Sequence, residues 1–192
     1  MNKIAYFEKE YEYIKDENKV KDIKYLVNKL PDYFFEIPAS STGKYHPSYA
    51  TTKHGLVKHT KAAVRIAHEL LENEAIGFKF SDEEKDLIIM ALIIHDGIKS
   101  GNPKEEYTRF DHPLLISKFV MEQKDKLSLD TDNLRKLCSI IESHMGPWNR
   151  DYKTKKEVLP KPKNEIERFV HMCDYLASRK FLEVPFNGLN IK

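Results

Sequence analysis

Cysteine is scarce in this chain: 192 residues carry two, Cys138 and Cys173. Two distant cysteines make neither a disulfide framework nor a zinc-type pair, so a reducing, cytoplasmic setting is expected. An excess of either charge is missing as well. With 32 Lys and Arg against 30 Asp and Glu, there is no global basic field of the kind that draws a protein onto long nucleic acid. No apolar run reaches membrane length, and Met1-Asn2-Lys3 leads straight into charged sequence rather than into a leader, so neither a membrane partner nor export is expected. A Gly-rich phosphate loop, an internal repeat and a coiled-coil heptad are all lacking. The length suits one domain, or one with a small N-terminal addition, and is enough to bury a core.

What is there is organised around Leu87–Ile94, eight consecutive apolar residues that end in His95-Asp96. Such a run reads as a helix covered on all sides. Ser81 followed three residues later by Glu84 has the form of a capping box at its start, and Gly97 reads as its stop. An imidazole and a carboxylate at the end of a buried helix are poorly solvated, and an ionised carboxylate there needs a cation. A divalent metal is the simplest candidate; a buried His-Asp hydrogen bond accounts for these two residues equally well.

Other segments repeat the theme. Residues 2 to 30 read as one or two charged amphipathic helices, with Ile14, Val20, Ile23, Leu26, Val27 and Leu30 facing inward and Pro31 ending them. A long connection from Asp32 to Lys53 follows, and connections of that length inside a domain are often functional. This places a boundary at residue 31, with an extension over 1–31 and the main domain over 32–192. From His54 to Leu71 the helical period aligns His59 with Ala63, Ile66 and Leu70, and sets His68 on the opposite, solvated side. His112 precedes Pro113 at the opening of another helix. Residues 132 to 144 put His144 on the face of Leu137 and Ile141. Asn164 caps a last helix in which Asp174 interrupts the apolar stripe Ile166, Val170, Ala177, and a carboxylate in such a place needs a partner. Between these last two helices lies a basic segment, Gly146–Lys163, with Arg150, Lys153, Lys155, Lys156, Lys161 and Lys163 against Asp151 and Glu157; runs of this kind usually form solvated surface. Five helices thus end in, or point inward with, His or Asp. Imidazole plus carboxylate without thiolate suits Mn, Fe, Co, Ni, Zn or a Mg-like ion, without selecting among them.

The order His59, His95-Asp96, His112, His144, Asp174 resembles the HD-domain superfamily of metal-dependent phosphohydrolases, whose motif runs H, HD, H, H, D. The most specific pieces are Gly55-Leu56-Val57-Lys58-His59-Thr60, Ile94-His95-Asp96-Gly97-Ile98-Lys99, Ser143-His144-Met145-Gly146 and His171-Met172-Cys173-Asp174. The runs Ile37-Pro38-Ala39-Ser40, Tyr45-His46-Pro47 and Leu159-Pro160-Lys161-Pro162 look most like the branch that contains bacterial 3'-to-5' exoribonucleases. The resemblance implies an all-α, HD-domain-like helical bundle preceded by short charged helices. It implies a divalent metal held by His59, His95, Asp96 and Asp174, with Asp96 bridging to a second held by His112 and His144. Asp96 and Lys99 are then the catalytic candidates, and Lys44, His46, Arg150 and Arg179 the candidates for holding an anionic substrate. Met145 stands where many two-metal members have a further histidine, which puts the second metal in question.

The expected function is metal-dependent hydrolysis of a phosphate ester in a nucleotide or at a short single-stranded nucleic-acid end. Two other readings keep the same residues. A di-iron oxygenase needs a full second-metal site, against which Met145 argues. A metal-binding regulatory module without turnover fits a degraded ligand set, whereas all six motif positions carry side chains able to bind metal.

Overall fold

The computed structural model describes residues 2–40 and 43–192; Ser41 and Thr42, within the long connection, lie outside the described residues. The fold is an all-α bundle. A 3-10 turn over Ile4–Phe7 runs into α1 (Glu8–Tyr11) and then α2 (Glu17–Lys29); Asp16 caps α2 by accepting the Asn18 N–H, and Pro31 follows its end. The connection is partly organised by 3-10 turns at Asp32–Phe35 and Ser48–Ala50. Then come α3 (Gly55–Glu72), the short α4 (Glu74–Gly77), α5 (Asp82–Ile94), α6 (His112–Glu122), α7 (Thr131–Ser143) and α8 (Glu165–Ala177). The chain closes with a hairpin of β1 (Phe186–Asn187) and β2 (Asn190–Ile191), paired antiparallel.

The apolar run makes α5 the axis of the bundle. Every residue from Asp86 to Ile94 is buried, and α2, α3, α7 and α8 pack around it. Its start is the capping box expected from sequence, Ser81 accepting the Glu84 N–H while the Glu84 carboxylate accepts the Ser81 N–H. Asp130 and Asn164 cap α7 and α8 in the same way, each satisfying a backbone donor that the first helical turn leaves open.

Gly97 has a different reason to be there than the one read from sequence. The helix stops earlier, at Ile94, and the Gly97 backbone is not left-handed. A Cβ at this position would lie 2.6 Å from Leu30 Cδ2. Gly97 lets the end of α2 press against the turn that carries His95 and Asp96.

The core runs across residue 31. Phe7, Tyr11, Ile14, Ile23, Leu26, Val27 and Leu30 belong to the same apolar cluster as α5. Two buried polar ties reinforce this. Lys61 of α3, 2% exposed, puts its Nζ 3.0 Å from Glu10 Oε2, and Asp86 accepts the backbone N–H groups of Lys15 and Asp16 at 2.8 and 3.1 Å. His68 faces away from the bundle centre, but it is half-buried rather than solvated because Tyr13 stacks on it at 3.8 Å and 4°.

Candidate metal centre

Four helix ends and one helix face deliver the expected ligands to one place. His59 comes from the first turns of α3, His95 and Asp96 from the turn that ends α5, His112 from the first residue of α6, His144 from the end of α7, and Asp174 from the inner face of α8. The four imidazoles and Asp96 are buried.

Three of the imidazoles are anchored alike. Nδ1 of His95, His112 and His144 lies 2.7 Å from the backbone carbonyl three residues earlier, that of Leu92, Arg109 and Ile141 respectively. A carbonyl only accepts, so each Nδ1 carries the proton and each Nε2 presents a lone pair inward. Hydrogen bonds of this kind are how proteins set the tautomer and aim of a metal-binding histidine. His59 is held otherwise, with Nε2 2.8 Å from Asp174 Oδ1 and Nδ1 without a hydrogen-bond partner among the described residues.

Asp96 sits between two groups of imidazoles. Its Oδ1 lies 3.0 Å from His112 Nε2 and 3.9 Å from His144 Nε2, whereas its Oδ2 lies 3.6 Å from His95 Nε2 and 3.9 Å from His59 Nε2. Asp174 Oδ1 is 3.4 Å from His95 Nε2. Two sets of three donors, His59, His95 and Asp174 on one side and His95, Asp96 and His144 on the other, have ligand atoms close enough to converge on an ion.

The chemistry of this donor set fits a cation. His112 Nε2 and His144 Nε2 approach to 3.2 Å although both Nδ1 positions already hold the proton, so two lone pairs face one another beside a carboxylate oxygen. His95 Nε2 is buried without a hydrogen-bond partner among the described residues. Only a proton or a metal ion relieves that arrangement. The acid-base balance agrees. Burial opposes a charged His95, yet Asp96 and Asp174 raise its basicity above the ordinary histidine range. His144, farther from carboxylate compensation, is pushed down to about 3 by burial and by the neighbouring imidazoles. Burial would raise both carboxyls, but Lys99, His95 and His112 hold Asp96 well below the usual range, and His59 and His95 do the same for Asp174.

A cavity of about 500 Å³ opens onto this centre. Its wall includes His46 and Arg179 of the expected substrate-binding residues, and Lys99, whose Nζ lies 2.6 Å from Asp96 Oδ2. Lys44 and Arg150 are not among the described residues of that wall. Lys44 lies over the Tyr45 ring at 5.1 Å. Arg150 pairs with Glu157 at 2.9 Å through an antiparallel bridge that folds the basic segment onto itself, and Lys161 reaches the same carboxylate at 3.3 Å. Met145 does line the cavity, as its place after His144 requires.

Sequence reading passed over His171, Tyr175 and Ser178, which also line the cavity. Their signal was spacing: on α8 and its end, positions 171, 174, 175 and 178 share the face that carries Asp174. The His171 ring is held by donation from Nδ1 to the His144 carbonyl at 2.7 Å. It passes so close to Gly146, where φ is +60°, that any side chain there would run into it.

A family model described as the HD domain matches residues 43–179. The chain belongs to the HD-domain family. No curated protein and no solved structure matches it. The region matched to the HD domain spans α3 to α8 and every residue of the centre, and the family is one of metal-dependent hydrolases for the most part. No helix of this HD protein is long and apolar enough to cross a membrane among the described residues.

Proposed function

We propose that the chain is a metal-dependent phosphohydrolase acting in the cytoplasm on a phosphate ester of a nucleotide or of a short single-stranded nucleic-acid end. The observation that carries this reading is the meeting of three Nδ1-anchored imidazoles with Asp96, its two oxygens turned toward different imidazole groups. His59, His95, Asp96 and Asp174 would hold one divalent ion, and His112 and His144, with Asp96 shared, a second. A bound ion of this kind supplies hydroxide near neutral pH and neutralises charge on phosphoryl oxygens.

The chain's own groups prepare that chemistry. The carbonyls of Leu92, Arg109 and Ile141 keep the Nε2 lone pairs free and fixed in direction. Lys99 keeps Asp96 ionised and places an ammonium at the cavity wall, where it meets a phosphate as a point charge. Arg179, without a carboxylate partner among the described residues, adds positive charge to the same wall.

The test is metal analysis of protein purified without added metal, followed by phosphomonoesters, phosphodiesters, nucleoside triphosphates and short single strands as substrates. Phosphate release that chelation stops and a divalent ion restores is expected. Tight metal binding with no turnover across that panel would favour a regulatory role instead.

A further inference from the structure

The cavity wall also carries aromatic rings that the metal chemistry leaves unused. The Trp148 indole lies flat on Tyr175, ring centroids 5.5 Å apart and planes 14° from parallel. On Tyr175 also rests the Arg179 guanidinium, 4.2 Å from the ring centroid, and Arg179 in turn lies 5.7 Å from the centroid of Tyr45. Nε and Nη2 of Arg179 both donate to Ser178 Oγ, which holds the guanidinium in place. All of these residues line the cavity onto which Asp96 and Asp174 face. Yet Trp148 and Tyr45 remain 51% and 54% exposed. An indole that merely fastened a loop to the bundle would bury most of its area, since aromatic rings gain from being removed from water.

Building on the phosphohydrolase reading, we propose that this wall is a base-stacking platform, and that the substrate is a single nucleotide unit whose base extends the Trp148–Tyr175 stack while its phosphate sits at the metal centre. Stacking on an aromatic face suits any nucleobase, because each has a π-face. The guanidinium beside the rings adds an electrostatic attraction for an anionic nucleotide, and its planar geometry suits stacking where a lysine ammonium would not. The cavity volume falls in the range of roughly 300–1,000 Å³ that buries a small organic molecule. It admits one nucleotide and not a duplex.

Trp148 is the sole tryptophan of the chain, so its fluorescence reports the platform directly. The experiment titrates the full-length protein with the four common nucleoside 5'-monophosphates, with the corresponding nucleosides, with ribose 5-phosphate and with inorganic phosphate. Turnover of nucleotide and of ribose 5-phosphate is measured alongside, in wild type, Trp148→Ala and Trp148→Phe. The expected result is saturable quenching by nucleotides and nucleosides but not by ribose 5-phosphate or phosphate. Trp148→Ala is expected to lower the preference for nucleotide over ribose 5-phosphate in kcat/KM by roughly tenfold or more, as loss of one stacked base implies, and Trp148→Phe to restore most of it. Equal turnover of nucleotide and ribose 5-phosphate with no quenching by any base would overturn the platform while leaving the phosphohydrolase intact. Quenching by nucleosides with no turnover of any ester would uphold the platform and overturn the phosphohydrolase reading.

Discussion

His112 and His144 point their Nε2 atoms at each other across 3.2 Å, while each Nδ1 is committed to a backbone carbonyl. Asp96 Oδ1 stands beside this pair, and Asp96 Oδ2 stands on the other side with His95, His59 and Lys99. The centre is therefore built as two unequal halves joined by one carboxylate. The His59 and Asp174 half has a second carboxylate; the His112 and His144 half has none among the described residues beyond the shared Asp96, and Met145 occupies the cavity wall next to it.

Unequal halves give unequal affinities. One metal per chain is expected to bind tightly and a second more weakly, and Met145→His is expected to tighten the second by supplying another imidazole. Metal titration followed by elemental analysis checks this. Two equally tight ions in the unaltered protein would contradict it.

The Lys61–Glu10 pair predicts that the N-terminal helices are part of the folding unit. Removing one partner leaves a buried charge unpaired, so Lys61→Ala or Glu10→Ala is expected to destabilise the protein by about 3–5 kcal/mol. Arg65→Ala, which opens the exposed Arg65–Glu69 pair, should change stability by less than about 1 kcal/mol. Urea denaturation of the three variants distinguishes these outcomes, and equal effects would show that the N-terminal tie carries no special weight.

Much of this was legible in the sequence. The Ser81–Glu84 capping box, the Asn164 cap, the placement of His112 at the first turn of its helix and the buried α5 all follow from local chemistry between near neighbours. Inward-facing histidines and aspartates were visible too, because such a residue on an apolar stripe is an anomaly within one helix; that they belong to one centre was implied by the resemblance to the HD-domain family and not by any helix alone. Features that depend on distant contacts were not legible. Gly97 reads as a helix stop because its real constraint, Leu30, lies on another helix. His68 reads as solvated because Tyr13 is far away in the chain. Nothing in the sequence near Lys61 marks its pairing with Glu10, which lies 51 residues away. Arg150 reads as free charge, although the loop folds back and gives it Glu157.

That folded basic segment bears on substrate form. Part of its charge is neutralised internally, and the whole chain is close to neutral, so the protein is expected to neutralise only a few phosphates at once. Turnover of short single strands or mononucleotides should exceed that of blunt duplex with equal phosphate content. The dependence of KM on salt should also be shallow, because its slope scales with the number of phosphates contacted. A preference for long duplex with a steep salt slope would contradict this.

The central claim is that turnover requires a metal held by the inward-facing His and Asp residues. Bound metal and phosphate release, measured side by side on wild type, Asp96→Ala, Asp174→Ala and His68→Ala, test it most directly. Both quantities are expected to collapse in the two aspartate variants, with turnover falling at least roughly a hundredfold, and to stay near wild type in His68→Ala, whose ring stacks on Tyr13 away from the centre. Full turnover in Asp96→Ala, or equal loss in His68→Ala, would contradict the account.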